Sequence, residues 1–403
     1  MSPTPPPPPP PTDDPSIEVI DEVEELPVAG ESTNASGDQR QPTRFPCRQC
    51  GAQLTFAPGT STLTCPYCGT KNAIPTSADH VRELDFKTYV AKLWSDNDAG
   101  LETIEIAEVT CHACAAEVTK PPGLDNFACP FCGTNIEAAT HSRRLIKPKA
   151  MLPFRITDKQ AKQSFREWIS KLWFAPTKLK TYARSDHGLS GVYIPYWTYD
   201  SKTTSWYTGQ RGEHYWVTQT YRDSKGNTRT RRVRKTRWYP ASGVVGRAFD
   251  DVLVLGSDSL PRQKTEKLEP WDLDQLVDYD PAFVAGFTAE AYRVDLESGF
   301  GHAQQIMDGV IRGDVRRDIG GDEQRIHSVK TQHDDITFKH ILLPIWISSY
   351  RWKNKVYRFL VNGRTGEVQG ERPWSWWKIA GAVLGGLAVA GIVAAVVALT
   401  QGG

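Results

Sequence analysis

All eight cysteines of the 403-residue chain fall in Cys-x-x-Cys pairs, and these pairs are repeated at one spacing. In each of two modules, fourteen residues separate the first pair from the second. Two residues between cysteines turn both sulfurs onto one ion, and two such knuckles complete a tetrahedron of thiolates. The spacing therefore predicts two metal sites. Their ligands are Cys47, Cys50, Cys65 and Cys68 in the first site and Cys111, Cys114, Cys129 and Cys132 in the second.

Zinc is the metal that we predict for both sites. Four thiolates leave no open position for water, so both zinc ions would be structural and neither catalytic. Iron in a rubredoxin-like site is one alternative, because its knuckle has the same form, and four disulfides are another. Glycine after a knuckle permits a positive φ, and it is present as Gly51, Gly69 and Gly133. Ala115 departs from this pattern and predicts a looser third knuckle.

An uncharged stretch of 22 residues runs from Ile379 to Thr400. As a helix it would be about 33 Å long, enough to cross a hydrocarbon core of about 30 Å. Three tryptophans between Trp374 and Trp377 precede it, at the position of interfacial rings. We therefore predict an aromatic belt and a transmembrane tail anchor over residues 373–403.

The charges around this stretch set its predicted orientation. Arg364, Arg372 and Lys378 lie on its N-terminal side, which by the positive-inside rule keeps the body in the cytosol. Zinc thiolates also favour a reducing compartment. The prediction is a single-pass protein of the cell (inner) membrane. Small residues recur every fourth position from Ala382 to Ala398, which predicts a homo-oligomer or a membrane partner packed on this stripe.

Eight basic residues lie between Arg222 and Arg237, around a predicted turn at Gly226-Asn227. Aromatic residues flank them on both sides, and such a mixture can bind single-stranded nucleic acid by stacking and phosphate contact. Anionic lipid headgroups are a second ligand class for the same residues. A solvated hairpin with its aromatic roots in the core is the non-functional alternative. The net charge of +1 excludes a global field that would favour nucleic acid.

Periodicity and composition divide the chain into six segments. Helices are predicted from about 157 to 175 and from 297 to 317, with short alternating strands between and after them. Because strands and helices do not alternate regularly, we predict small metal-bound β zinc ribbons plus an α+β domain and a single C-terminal transmembrane helix. The segments are a disordered Pro-rich and acidic tail (1–44), zinc ribbon 1 (45–76), a linker with a short helix (77–104), zinc ribbon 2 (105–140), the α+β domain (145–372) and the anchor (373–403).

Signatures of catalysis are absent from the sequence. It contains no phosphate-binding loop, nucleophile elbow or zinc-protease helix. Every cysteine is assigned to a metal, and the histidines, including His187, His214 and His302, lack metal-ligand spacing. We therefore predict that the protein is not an enzyme. A site built from dispersed carboxylates is the remaining enzymatic alternative.

Several segments together resemble a bacterial family of zinc-ribbon membrane proteins that is often labelled as similar to the primosomal replication helicase. They are the two Cys-Pro-Tyr/Phe-Cys-Gly knuckles, Gly191 to Trp197, Leu342 to Trp346, and Val361 to Gly366. The resemblance covers roughly residues 45–400. The chain has no motor motif, so the helicase label reflects the knuckles alone. The resemblance implies a scaffold that recruits flotillin-like (SPFH) or phage-shock (PspA-type) proteins to a membrane.

These observations predict a non-enzymatic, tail-anchored adaptor whose ribbons and α+β domain bind cytosolic protein partners. The alternative is a membrane-tethered nucleic-acid-binding protein that uses the ribbons and the basic 222–237 hairpin.

Overall fold

The structure is a computed structural model, and it describes most of the chain after residue 44. The predicted Pro-rich tail (1–44) lies outside the described residues, as do Arg372, Trp374 and His187. The described ranges are 45–75, 81–95, 101–120, 126–137, 141–172, 189–222, 224–352, 355–371 and 375–401.

Strands dominate these ranges, and three of them are unusually long. The strands are β1 (Thr55–Phe56), β2 (Thr62–Thr64), β3 (Lys71–Ala73), β4 (Leu84–Asp85), β5 (Thr103–Thr110), β6 (Glu117–Thr119), β7 (Asn126–Ala128), β8 (Asn135–Glu137), β9 (His141–Ile146), β10 (Ala150–Met151), β11 (Ser190–Arg222), β12 (Thr228–Leu255), β13 (Val277–Asp278), β14 (Thr288–Ala289), β15 (Glu323–Trp352), β16 (Lys355–Asn362) and β17 (Val368–Gly370). The α-helices are α1 (Phe86–Trp94), α2 (Asp158–Ser170), α3 (Arg262–Thr265), α4 (Leu296–Ile319) and α5 (Trp376–Gln401), and 3-10 turns cover Glu266–Leu268, Leu273–Gln275 and Pro281–Val284.

One nine-stranded sheet forms the body of the protein. Its main path runs β12-β11-β15-β10-β13, with β4 and β16 also paired to β15, β14 to β11 and β17 to β16. The three long strands contain 33, 28 and 30 residues and pair antiparallel. The prediction of an α+β domain is therefore wrong, because the described body is mostly β-sheet. Four predicted short strands (191–200, 212–222, 228–239 and 341–350) are segments of these long strands, and the fifth (355–361) is β16.

The end of β11–β12 extends beyond the rest of the sheet. Pairing of β11 with β15 stops at Gly212↔Glu323, whereas pairing with β12 continues to Arg222↔Thr228. In the described residues, the ten-residue segments 213–222 and 228–237 thus form a two-stranded ribbon about 33 Å long. We call this hairpin the arm. The predicted turn is confirmed, since Gly226 has a φ of 80° there.

The two faces of the central sheet are covered by different ribbons. Tyr193 packs in one hydrophobic cluster, together with ribbon 1, while its neighbours Val192 and Ile194 pack in another, together with ribbon 2. The neighbouring strand shows the same division, with Leu342 in the first cluster and Leu343 in the second. Successive side chains of a strand point to opposite faces. Ribbons 1 and 2 therefore pack on opposite faces of one sheet.

Helix predictions in the body are confirmed where the signals were strong. Helix α2 begins at Thr157, which forms a capping box with Gln160. Helix α4 begins after Asp295, whose carboxylate accepts from the Ser298 N–H, and it ends at Gly320 with a φ of 65°. Its buried side chains recur at helical spacing and pack on the sheet. They are Leu296, Phe300, Ala303, Met307, Ile311, Val315 and Ile319.

The predicted tail anchor is wrong. Searched over the described residues, no helix is long and apolar enough to cross a membrane. The predicted transmembrane helix and the single-pass inner-membrane localisation are corrected accordingly.

Candidate metal centres and the basic arm

Short hairpins present the cysteines of ribbon 1. The knuckle with Cys47 and Cys50 precedes the three-stranded sheet β1-β2-β3, and an isolated bridge between Pro46 and Gln53 closes it. The knuckle with Cys65 and Cys68 connects β2 to β3. The sheet is too small to form a core of its own, so the apolar side chains of the ribbon pack on the body. The buried ribbon residues in this shared cluster are Cys47, Leu54, Phe56, Leu63, Cys65 and Ile74.

Ribbon 2 is built in the same way from two hairpins. The knuckle with Cys111 and Cys114 connects β5 to β6, and the knuckle with Cys129 and Cys132 connects β7 to β8. Strand β5 also pairs with β9, which leads the chain into the body.

All four knuckles have the same backbone hydrogen bonds. In the first, the Gly51 N–H donates to the Cys47 carbonyl at 2.9 Å, and the Cys47 N–H donates to the Ala52 carbonyl at 2.7 Å. Ala115 makes the equivalent bond to Cys111 at 2.8 Å, with a φ of 57° where the three glycines have 73° to 75°. The expectation of a looser third knuckle is therefore wrong. Ala115 adopts the same left-handed conformation at a steric cost.

The sulfur atoms of each set lie at the separations that a tetrahedral ion requires. In ribbon 1 the Cys47–Cys68 and Cys50–Cys65 sulfurs are each 3.5 Å apart. In ribbon 2 the Cys111–Cys132 and Cys114–Cys129 pairs are 3.6 and 3.7 Å apart. Tetrahedral zinc with Zn–S bonds of about 2.3 Å places sulfurs about 3.8 Å apart, and a disulfide would require about 2.05 Å. The structure thus brings together all eight predicted ligands in two four-cysteine sites that can bind metal ions.

A threonine contacts the last cysteine of each set, which the sequence analysis missed. The Thr70 hydroxyl lies 3.1 Å from the Cys68 sulfur, and the Thr134 hydroxyl lies 3.3 Å from the Cys132 sulfur. The hydrogen bond from Thr70 lowers the pKa of Cys68 to about 6, which favours the thiolate that a metal requires. The repeated Cys-Gly-Thr sequence was the available signal.

The two sites differ in their exposure to solvent. In ribbon 1 the second cysteine of each knuckle, Cys50 and Cys68, is exposed, whereas Cys114 and Cys132 of ribbon 2 are half-buried. The aromatic residue inside the second knuckle shows a larger difference. Tyr67 of ribbon 1 is 82% exposed, and Phe131 of ribbon 2 is 0% exposed. The carbonyl of Phe131 also accepts a hydrogen bond from the Arg358 side chain at 3.2 Å.

A third group of possible ligands contains only carboxylates. Oxygen atoms of Glu83, Asp200 and Asp250 lie within 4.8 Å of one another. The buried Lys339 already supplies a positive charge here, since its Nζ lies 3.0 Å from Glu83 and 2.7 Å from Asp251. We therefore assign this group to charge compensation around Lys339 and not to a metal.

Basic and aromatic side chains of the arm are stacked on one another. The Arg232 guanidinium lies 5.5 Å from the ring centroid of Trp216, and that of Arg237 lies 5.0 Å from the centroid of Tyr215. Arg231 lies over Tyr221 at 5.4 Å. At the base of the arm, Arg325 of β15 lies 3.8 Å from the centroid of Trp238. The rings do not anchor the hairpin in the core, as one alternative predicted. They remain on the surface.

Two of the histidines considered in the sequence, His214 and His302, lie in the described part of the chain. His214 lies at the base of the arm, with its Nε2 2.6 Å from Glu323, whose carboxylate also accepts from the Thr236 hydroxyl. His302 lies in α4. Neither contributes to a group of possible metal ligands among the described residues.

Comparison with known proteins gives one relative of undetermined function. The chain is similar to the uncharacterized protein YdjG of Bacillus subtilis (strain 168), with 24% identity over 339 residues, which is 83% of this chain and 92% of YdjG. No family model matches the chain. No solved structure matches it significantly.

Proposed function

We propose that this protein is a non-enzymatic binding scaffold in which two structural zinc ions hold the ribbons and ribbon 1 contacts a protein partner. The observation that carries the proposal is that Tyr67 is 82% exposed, whereas Phe131, at the same position of the ribbon 2 knuckle, is completely buried. Large exposed aromatic side chains held on a rigid turn are frequent binding hot spots. A metal bound by Cys65 and Cys68 fixes the turn that carries Tyr67, and the Tyr67 ring remains exposed to solvent.

Zinc is the proposed ion at both sites. The donors are four thiolates in each site, and the sulfur separations of 3.5 to 3.7 Å are close to those of a tetrahedral zinc site. Iron fits the same geometry and is separated from zinc by elemental analysis and by its visible absorption. We expect two zinc ions per chain and no iron.

The absence of an open coordination position supports a non-enzymatic role for both metals. Four sulfurs complete the tetrahedron, so no position remains for a water molecule or a substrate. The metals therefore contribute to folding and to the shape of the surface.

The partner class that we propose is a protein, and the family resemblance supplies two candidates to test first. Purified full-length protein is immobilised, and binding of a PspA-type and a flotillin-like protein from the same organism is measured. We expect at least one to bind, and Tyr67→Ser to weaken binding about tenfold or more, because removal of a hot-spot ring costs about 2 kcal/mol.

Tyr239→Ser is the matched control, since Tyr239 is also exposed, at 41%, but lies on β12. Zinc content is measured in every variant and should stay at two ions per chain. Equal binding by the wild type, Tyr67→Ser and Tyr239→Ser would refute the role of the ribbon 1 knuckle.

A further inference from the structure

The arm carries both charge and aromatic surface away from the body. Between Arg222 and Arg237 the chain has eight basic residues and a single acidic residue, Asp223, although the whole protein has a net charge of only +1. Trp216 is 57% exposed and Tyr221 is 41% exposed. A concentration of this kind needs an explanation, since isolated exposed rings are common but a cluster of rings among arginines is not.

Strand alternation divides these side chains between the two faces of the arm. Cross-strand pairs place Trp216 opposite Arg234 and Thr218 opposite Arg232, all on one face. Tyr215 lies opposite Lys235 on the other face, with Tyr221 six residues further along the strand. Each face therefore combines rings with cations, so a ligand that follows the arm meets both kinds of group on either side.

The guanidinium groups retain hydrogen-bonding capacity for a ligand. Stacking on a ring holds a guanidinium by its face and leaves its N–H donors free at the edge. Among the described residues, no carboxylate lies within 4 Å of the charged nitrogens of Arg231, Arg232 or Arg234. Arg231 donates to the neutral side-chain oxygen of Gln219 at 3.0 Å. Arg231 and Arg232 are thus held by stacking, without a described carboxylate in direct contact.

The combination identifies the chemistry of the partner. Phosphate groups match the fork geometry of arginine, and unpaired bases stack on exposed rings, each contributing to affinity. A duplex would offer phosphates but keep its bases stacked inside. An acidic polypeptide would use the arginines but not the rings. We infer that the arm is a binding surface for single-stranded nucleic acid, which is independent of the protein contact proposed for ribbon 1.

The test measures binding of the full-length protein to a fluorescein-labelled single-stranded 20-mer by anisotropy, as DNA and as RNA, from 50 to 300 mM salt. We expect affinity to decrease steeply with salt. The variant Arg231→Ser/Arg232→Ser/Arg234→Ser should lower the slope of log K against log salt by about 2, because each lost phosphate contact removes about 0.7. Trp216→Ala should weaken binding about tenfold with an unchanged slope, because stacking is not ionic.

A matched control removes the same charge elsewhere. Arg312→Ser/Arg316→Ser/Arg317→Ser changes three exposed arginines of α4 and should leave both affinity and slope as in the wild type. Zinc content and circular dichroism establish that each variant is folded.

Three results would overturn the inference. The first is equal weakening by the α4 control, which would indicate an effect of overall charge. The second is tighter binding of a 20-base-pair duplex, or of polyglutamate of equal charge, than of the single strand. The third is an unchanged affinity in Trp216→Ala, which would remove the role of base stacking.

Discussion

The two ribbons have the same knuckle sequence, Cys-Pro-aromatic-Cys-Gly-Thr, in different surroundings. In ribbon 1 the aromatic residue is Tyr67, 82% exposed, and in ribbon 2 it is Phe131, 0% exposed. The backbone hydrogen bonds are the same in both, and the sulfur separations and threonine contacts agree within about 0.2 Å, so the metal site is determined locally. Exposure is determined by what packs against the knuckle. The repeated motif thus specifies the same metal site in both ribbons. Packing against the body buries Phe131 of ribbon 2, whereas Tyr67 of ribbon 1 remains exposed.

The largest expected effect comes from removing a buried ligand of ribbon 2, Cys129, in comparison with an exposed ligand of ribbon 1, Cys68. In Cys129→Ser the lost sulfur lies in a core cluster shared with the body, so water cannot replace it. We expect loss of one zinc ion and destabilisation by at least about 5 kcal/mol, since a structural zinc ion contributes roughly 10–16 kcal/mol. In Cys68→Ser water can complete the coordination, so the ion should remain with reduced affinity.

Elemental analysis and thermal unfolding of both variants distinguish these outcomes. Equal loss of zinc and equal lowering of Tm in Cys129→Ser and Cys68→Ser would show that burial of the removed ligand does not determine the effect.

The features that local sequence determines were the ones that could be predicted. The eight ligands follow from spacing, and α2 follows from its capping residues. Helix α4 follows from its apolar residues, although Ile306 and Val310 among them are exposed. The long sheet could not be predicted in the same way, because β11 contains irregularities in pairing near Asp200 and Thr208 that interrupt alternation. The packing of the two ribbons on opposite faces depends on contacts more than a hundred residues apart in sequence. Such contacts leave no periodic signal.

The C-terminal prediction shows a different reason for error. Hydropathy over residues 379–400 predicts a membrane span, whereas the described residues contain no helix that is long and apolar enough to cross a membrane. The stretch does form a helix, α5, so the error concerns membrane crossing and not secondary structure.

A matched pair of aromatic substitutions tests the difference in exposure directly. Phe131→Ala removes a completely buried ring and should destabilise the protein by about 3–5 kcal/mol. Tyr67→Ala removes an exposed ring and should change stability by less than about 0.5 kcal/mol. Urea unfolding at one pH gives both values. Similar values for the two variants would mean that Phe131 is not in the core of the folded protein.

A buried carboxyl group near the attachment of ribbon 2 predicts a pH dependence. Arg293 forms an ion pair with Glu117 of β6, and it also faces Glu290. Burial raises the pKa of Glu290 to about 7, above its ordinary value of 4.5, and the Ser257 hydroxyl donates to its carboxylate at 2.8 Å. The other charged group facing Glu290 is Asp258, which raises the pKa further.

The sign follows from proton binding in the two states. Between about pH 4.5 and pH 7 the folded protein holds a proton that the unfolded chain releases, so this group lowers stability as pH rises. Glu290→Gln should therefore stabilise the protein by about 3 kcal/mol at pH 8 and by little at pH 4.5. Urea unfolding at both values measures this difference. A gain that does not depend on pH would assign the effect to packing and not to ionisation.

The smallest expected effect concerns the one knuckle that lacks glycine. Ala115 has a φ of 57°, in the left-handed region where a Cβ atom costs about 1 kcal/mol, whereas the corresponding Gly51 of ribbon 1 has a φ of 73°. Ala115→Gly should therefore stabilise ribbon 2 by up to about 1 kcal/mol, reduced in part by the greater freedom of glycine in the unfolded chain. Gly51→Ala is the reciprocal change and should destabilise ribbon 1 by about 1 kcal/mol or more. Both variants should retain two zinc ions, because neither removes a ligand, and unfolding in urea measures their stability. If Ala115→Gly instead lowers stability while Gly51→Ala has no effect, the left-handed conformation is not a cost at either knuckle, and the shared backbone geometry of the two ribbons would not be determined by these residues.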